Sequence, residues 1–177
     1  MIELEYFERA DFKQLIEWID SPEFLLQWGG PVFEYPLDGG QLEKYMKNAN
    51  HNTSDTLVYK VVHKETGKVI GHISLGRIDR RHKSARVGKV LIGDKSVRGQ
   101  GLGGQMIEEI LNIAFGELHL HRVTLGVFDF NEPAIACYEN AGFIKEGLFR
   151  EAYKIGNEYW STWEMSILEN EWISKKN

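Results

Sequence analysis

The spacing of apolar residues changes period several times along the chain, and each change marks an element. Ile2, Leu4 and Tyr6 alternate with acidic residues, the period of a half-buried strand. Phe12, Leu15, Ile16 and Ile19 recur at helical spacing and stop near Ser21-Pro22. Residues 24–35 are aromatic, are broken by Gly29-Gly30-Pro31, and read as a loop. Residues 38–50 suggest a second helix. Residues 56–63 and 69–75 read as a hairpin around K-E-T-G-K, and 85–93 as a further strand. Leu102, Met106, Ile107, Ile110, Leu111 and Ala114 form one wide apolar helical stripe. Residues 121–128 return to strand character. Residues 131–141 make a short helix, with Asn131 as N-cap, Pro133 in the first turn and Gly142 as the stop. Two last strands flank Ile155-Gly156-Asn157. Strands joined mostly by hairpins, with one strand–loop–helix–strand unit over 85–128, predict a mixed α/β sheet and exclude a doubly wound parallel one.

Composition adds bounds. The 177 residues show no repeat or linker-like segment, so the expectation is a single domain over 1–177. No apolar run approaches the ~20 residues of a membrane helix, and the acidic start M-I-E-L-E-Y-F-E-R is unlike a signal peptide. A lone cysteine rules out an internal disulfide and suits a reducing cytoplasm. The net charge of −5 speaks against nucleic acid as partner and leans toward a cationic substrate. A homodimer is the assembly to expect, since dimers are the commonest.

The chemistry concentrates in V-R-G-Q-G-L-G-G, Val97 to Gly104, which admits three readings. A P-loop needs Lys and then Ser or Thr after its last glycine, and Gln105-Met106 stand there instead. A dinucleotide fingerprint needs the first glycine directly off the strand and an acid about 20 residues on. Five residues intervene after Ile92-Gly93, and the distal segment is H-L-H-R. The third reading is a cradle of backbone N–H groups at a helix start, with Arg98 adding a permanent cation. Glycines belong there because any Cβ would hold a pyrophosphate away.

This loop resembles motif A of the GNAT superfamily of N-acetyltransferases. A second segment, V-F-D-F-N-E-P-A-I-A-C-Y-E-N-A-G-F, is similar to the family's N-x-x-A…Y-x-x-x-G-F, with Asn131, Ala134, Tyr138, Gly142 and Phe143 in place. Within the superfamily the chain looks most like the branch of ribosomal-protein and spermidine/spermine N-acetyltransferases. The resemblance implies a mostly antiparallel central sheet with one splayed strand pair, flanking helices, and acetyl-CoA as cosubstrate. It implies that Leu91, Ile92 and Gly93 pair with the pantetheine arm. Arg98, Gly99, Gln100, Gly101, Leu102, Gly103 and Gly104 would hold the pyrophosphate. Asn131 would contact the cofactor, and Tyr138 would stand beside its sulfur.

Transfer to a primary amine requires a neutral nucleophile, although the free amine's pKa is about 10. It also needs an oxyanion donor and a proton for the leaving thiolate. Tyr138, two helical turns after Asn131, is the phenol the motif offers as acid, against a plain core role. Many family members carry a glutamate early in the motif A strand; here that strand reads S-A-R-V-G-K, so the base stays unassigned. Glu23, Glu34 and Asp38 could line an amine pocket, or be solvated loop carboxylates. Trp28 and Phe33 could wall a cation, or pack their loop. Cys137 reads as an idle thiol, His119 and His121 lack partners for a metal site, and the run Arg80–Lys83 reads as a solvated loop or a contact to the CoA 3′-phosphate. The expected activity is acetyl transfer to a small amine, a polyamine or a protein N-terminus, directly in a ternary complex. The competing reading is a non-catalytic acyl-CoA-binding module.

Overall fold

The computed structural model describes residues 1–177. A seven-stranded sheet organises it: β1 (Ile2–Tyr6), β2 (Leu57–His63), β3 (Lys68–Asp79), β4 (Ser84–Ile92), β5 (Arg122–Phe128), β6 (Ile144–Ile155) and β7 (Glu158–Leu168), in spatial order β1-β2-β3-β4-β5-β7-β6. Every neighbouring pair is antiparallel except β4–β5. The six α-helices are α1 (Phe12–Trp18), α2 (Pro22–Gly29), α3 (Gly39–Met46), α4 (Leu102–Leu111), α5 (Glu132–Ala141) and α6 (Glu169–Lys176).

The predicted strands and four of the helices, α1, α3, α4 and α5, are where the periodicity placed them. One segment differs. Residues 24–35 begin inside α2 rather than in a loop. Ser21 Oγ accepts the Phe24 N–H at 3.1 Å, Pro22 occupies the first turn, and Gly30 (φ +67°) ends the helix. Ser21-Pro22 thus lies just past the end of α1 and starts α2, an eight-residue helix too short to show a full stripe. Helix α6 lies beyond the last strand read from the sequence. The Glu171 carboxylate accepts the Leu168 N–H at 2.9 Å and caps it, and Trp172 packs on Phe115.

Side chains of the two sheet faces build two cores. On one face, α4 and α5 bury Met106, Ile107, Ile110, Ile135 and Tyr138 against Ile73, Val87, Val123 and Met165. On the other, α1–α3 bury Leu15, Leu25, Trp28 and Leu42 against Phe7, Val58 and Leu91. Apolar burial of this kind stabilises by about 1.5–3 kcal/mol per large side chain. No helix is long and apolar enough to cross a membrane.

Candidate active site

Strands β4 and β5 pair only at their starts, through Ser84–Arg122, Ala85–Val123 and Arg86–Thr124. Beyond Arg86, β4 stays with β3 and β5 stays with β7. The two strands part, and the sheet opens into a V whose β4 edge has no strand partner.

A bulge shapes that edge. His72 pairs with Leu91 and Ser74 with Gly88, so Ile73 faces both Lys89 and Val90. Lys89 adopts φ +52°. Its carbonyl accepts from Trp28 Nε1 and from His72 Nδ1, each at 3.0 Å. These two bonds leave the bulge no freedom to slide. Gly93 ends the strand against the Trp18 indole, in space that a Cβ would share with the ring.

The glycine loop follows at the open end of β4. Gly99 (φ +80°) and Gly101 (φ +75°) are left-handed, and a Cβ at Gly99, Gly101 or Gly104 would meet nothing within 4 Å. Gly101 is the N-cap of α4 and supplies no side-chain acceptor. The first N–H groups of α4, those of Leu102, Gly103 and Gly104, therefore lie at a helix N-terminus free of side-chain caps; Gly103 and Gly104 carry no Cβ, and the Leu102 side chain is buried in the core. Gln100 is exposed beside them. Arg98, the cation expected beside the loop, donates its Nε and Nη2 to the Ile92 carbonyl at 3.2 and 2.9 Å, which fastens the loop to the strand end and leaves the guanidinium charge without a carboxylate partner.

Helix α5 closes the other wall. Asn131 Oδ1 accepts the Ala134 N–H at 3.4 Å, which leaves its amide NH₂ as a donor. A Cβ at Gly103 would lie 3.6 Å from Cys137 Sγ and 3.9 Å from the Ile92 side chain, so β4, α4 and α5 converge on that glycine. Tyr138, one position on, is 8% exposed, and its ring is tilted against Phe143. Burial pushes its phenol well above the usual tyrosine range and also pushes the Cys137 thiol up. A groove of about 970 Å³ runs from Gly101 and Gly104 past Pro133 and Cys137 to Trp172 and Lys175. A helix start with no side-chain cap, a glycine-rich loop and, next to them, a strand edge without a strand partner fit a pyrophosphate joined to an amide-bearing arm.

Comparison with known proteins settles the family. The family model for the acetyltransferase (GNAT) domain matches residues 2–144. The chain belongs to the GNAT acetyltransferases. It is 27% identical to the spermidine N(1)-acetyltransferase of Vibrio cholerae over 174 residues, covering 97% of this chain and 95% of that one. It is 29% identical to YdaF of Bacillus subtilis, named as a candidate ribosomal N-acetyltransferase, over 62% of this chain and 59% of the relative. The structure of the V. cholerae spermidine N-acetyltransferase in complex with CoA and spermine superposes with a TM-score of 0.83 at 25% identity, covering 97% of this chain and 98% of that one. This GNAT protein is accordingly an acetyl-CoA-dependent N-acetyltransferase, with acetyl-CoA as its cosubstrate.

On the face of the V opposite α4 and α5, this acetyltransferase carries residues that the sequence did not single out together. At the apex, Arg86 reaches Glu164 of β7 at 2.6 Å. Farther along β4, Lys89 lies over the Tyr45 ring (4.9 Å) and the Phe33 ring (5.8 Å), in a cavity of about 470 Å³. Beneath it Tyr45 Oη stands 3.5 Å from His72 Nε2, and burial lowers the His72 pKa to about 4. Of the loop acids, Glu34 lines this cavity, Asp38 caps α3 by accepting from the Gln41 N–H at 2.9 Å, and Glu23 is exposed in the first turn of α2. Trp28 is buried packing and Phe33 lines the cavity. Arg80 donates to the Asn52 and Ser54 carbonyls, pinning its loop far from the groove's glycines in sequence.

Proposed function

We propose that residues 1–177 act as one transferase domain that moves the acetyl group of acetyl-CoA directly to a primary amine in a ternary complex. One observation carries the reading: β4 and β5 part beyond Arg86–Thr124, the glycine loop meets the end of β4 and helix α5 at Gly103, and Lys89 of β4 enters a separate cavity, so one opened strand adjoins both a cofactor groove and an acceptor cavity. Leu91–Gly93, at the open edge of β4, run along the pantetheine arm; the Gly93 N–H is already given to the Ile70 carbonyl and the Ile92 carbonyl to Arg98. The N–H groups of Leu102–Gly104 receive the pyrophosphate, and the Asn131 amide donates to the arm. Tyr138, kept protonated by burial, is the proton donor for the thiolate that leaves. Cys137 is held as a thiol, which speaks against an acyl-enzyme route.

The relative from V. cholerae is named for spermidine, which makes a polyamine one acceptor to test; a protein N-terminus is another. The decisive experiment is CoA release measured across a panel of amines. Release with an amine, without an acetylated enzyme by mass spectrometry, supports direct transfer. An acetyl adduct on Cys137 that chases into product overturns it. A second copy of the chain is the partner we infer for the β6–β7 edge, where Phe149 and Tyr159 are 54% and 56% exposed; light scattering checks it. A lone cysteine fits a reducing cytoplasm as the working compartment.

A further inference from the structure

The cavity on the acceptor face of the V already contains a cation. Lys89 projects from the bulge into the angle between the Tyr45 and Phe33 rings, the kind of notch that binds ammonium groups. An incoming polyamine would have to share this notch with an ammonium that the chain itself supplies. The remaining charged groups on the wall are Lys44 and Glu34. The ion pairs of the protein leave both Lys44 and Lys89 without a carboxylate. Glu34 is exposed, with its backbone N–H and carbonyl tied to the Gln41 side chain at 2.7 and 2.9 Å, which anchors its loop at the cavity. Two ammonium groups against one carboxylate leave the wall positive. Burial, followed by the charges of Arg77 and Arg86, lowers the Lys89 pKa; Glu164 balances Arg86, so Arg77 is the further uncompensated cation. A half-buried cation among cations is satisfied by an anion.

From this arrangement, and resting on the transferase reading above, we propose that the acceptor is an amine that also carries a carboxylate, an amino-acid-type substrate whose anion is held by Lys89. The overall positive cavity outweighs the −5 charge of the whole chain, because the cavity wall and not the distant surface meets the substrate. The balance of the reaction is unchanged: the C–N bond forms as the C–S bond breaks, one N–H proton is lost and one S–H bond is made, with no further reactant.

The test is a set of matched acceptors at saturating acetyl-CoA: L-ornithine, its amide and putrescine; L-leucine, its amide and isopentylamine; and spermidine. The expected result is a kcat/KM at least about tenfold higher for the carboxylate-bearing member of each set, expressed in KM, the size of one charge-assisted hydrogen bond. In Lys89→Met that ratio collapses toward unity, while Lys89→Arg retains it; circular dichroism and thermal midpoints establish that both are folded. Preference for spermidine, putrescine or the amides overturns the proposal and leaves acetyl transfer standing. An unchanged ratio in Lys89→Met also overturns it. Failure of every amine to release CoA from an enzyme that binds acetyl-CoA overturns the transferase reading and this inference with it.

Discussion

The Arg86 guanidinium on β4 meets the Glu164 carboxylate on β7 by passing over β5 at Gly126, the residue that pairs with Glu164. Arg86 Nη1 donates to both carboxylate oxygens, at 2.6 and 3.1 Å, and to Thr124 Oγ1 at 3.3 Å. Because Arg86–Thr124 is the last β4–β5 pair, this bridge ties three strands where the V begins. A Cβ at Gly126 would lie 2.7 Å from Arg86 Nη2, the mobile end of a long side chain. Gly126→Ala therefore displaces the guanidinium and not the backbone. We expect a stability loss of about 1–2 kcal/mol, the worth of a partly buried charge-assisted bond. We also expect a larger fall in kcat than in acetyl-CoA affinity. Urea titration and calorimetry with acetyl-CoA check the pair; unchanged kcat would reduce the bridge to scaffolding.

The glycine loop makes a prediction of opposite signs. Gly104 is the third residue of α4, has ordinary helical φ, and has open space where its Cβ would be. Gly104→Ala raises helix stability by about 1 kcal/mol yet puts a methyl group where the pyrophosphate must approach the N–H groups. The thermal midpoint without ligand rises, and acetyl-CoA affinity falls at least about tenfold. Gly101→Val, at φ +75°, loses binding and also pays about 1–2 kcal/mol of left-handed strain. A Gly104→Ala protein that binds acetyl-CoA normally would move the cradle elsewhere.

His72 sets an acid limit on stability. It is 1% exposed, faces the Trp28, Phe7 and Tyr45 rings and the Lys89 carbonyl, and is held neutral with a pKa of about 4. In the unfolded chain a histidine titrates near 6.5. Between those values the unfolded state binds a proton that the folded state refuses, so stability falls as pH drops from about 6.5 to about 4. From pH 7 to pH 5 this one group removes about 2 kcal/mol. His72→Gln keeps an N–H donor for the Lys89 carbonyl without titrating. The stability gap between wild type and variant should shrink by about that amount over this interval in urea titrations, and a constant gap would show that His72 titrates in the fold as it does in the unfolded chain.

What the sequence revealed depended on how local the signal was. Strands and the α4 stripe are written in runs of apolar spacing, and the caps Asn131 and Gly142 lie beside the helix they bound, whereas Asp38, read as a loop acid, turned out to cap α3. Helix α2 was hidden because aromatic residues suit a loop or a packed helix equally, and Ser21-Pro22 signals both an end and a beginning. The glycine loop stood out because its glycines, Arg98 and a helix start lie within eight residues. The face of the V that carries Lys89 did not. Arg86 and Glu164 are 78 positions apart, and Trp28 and Lys89 are 61 apart. Their meeting depends on strand order and on a bulge that no spacing announces. The lysine in V-G-K-V-L-I, charged within an apolar strand, was the one local trace of that bulge.

Tyr138 separates a catalytic from a structural phenol. Its ring belongs to the core beneath α5, beside Ile135 and Phe143, and the hydroxyl titrates far above neutrality because burial opposes its charge. Phenylalanine fills the same volume, so Tyr138→Phe preserves the packing. If the hydroxyl donates to the departing thiolate, the variant keeps its thermal midpoint and acetyl-CoA affinity while kcat drops by about 10²–10⁴, the range of a lost general acid. Acceptors whose thiolate departure is the slow step show the full loss. A phenol that only fills space gives equal, small changes in kcat and affinity. Raising the pH does not rescue the variant, because the missing proton belonged to a group that stays protonated throughout the working range. Stopped-flow CoA release at pH 7 and pH 9, beside calorimetry with acetyl-CoA, distinguishes the two.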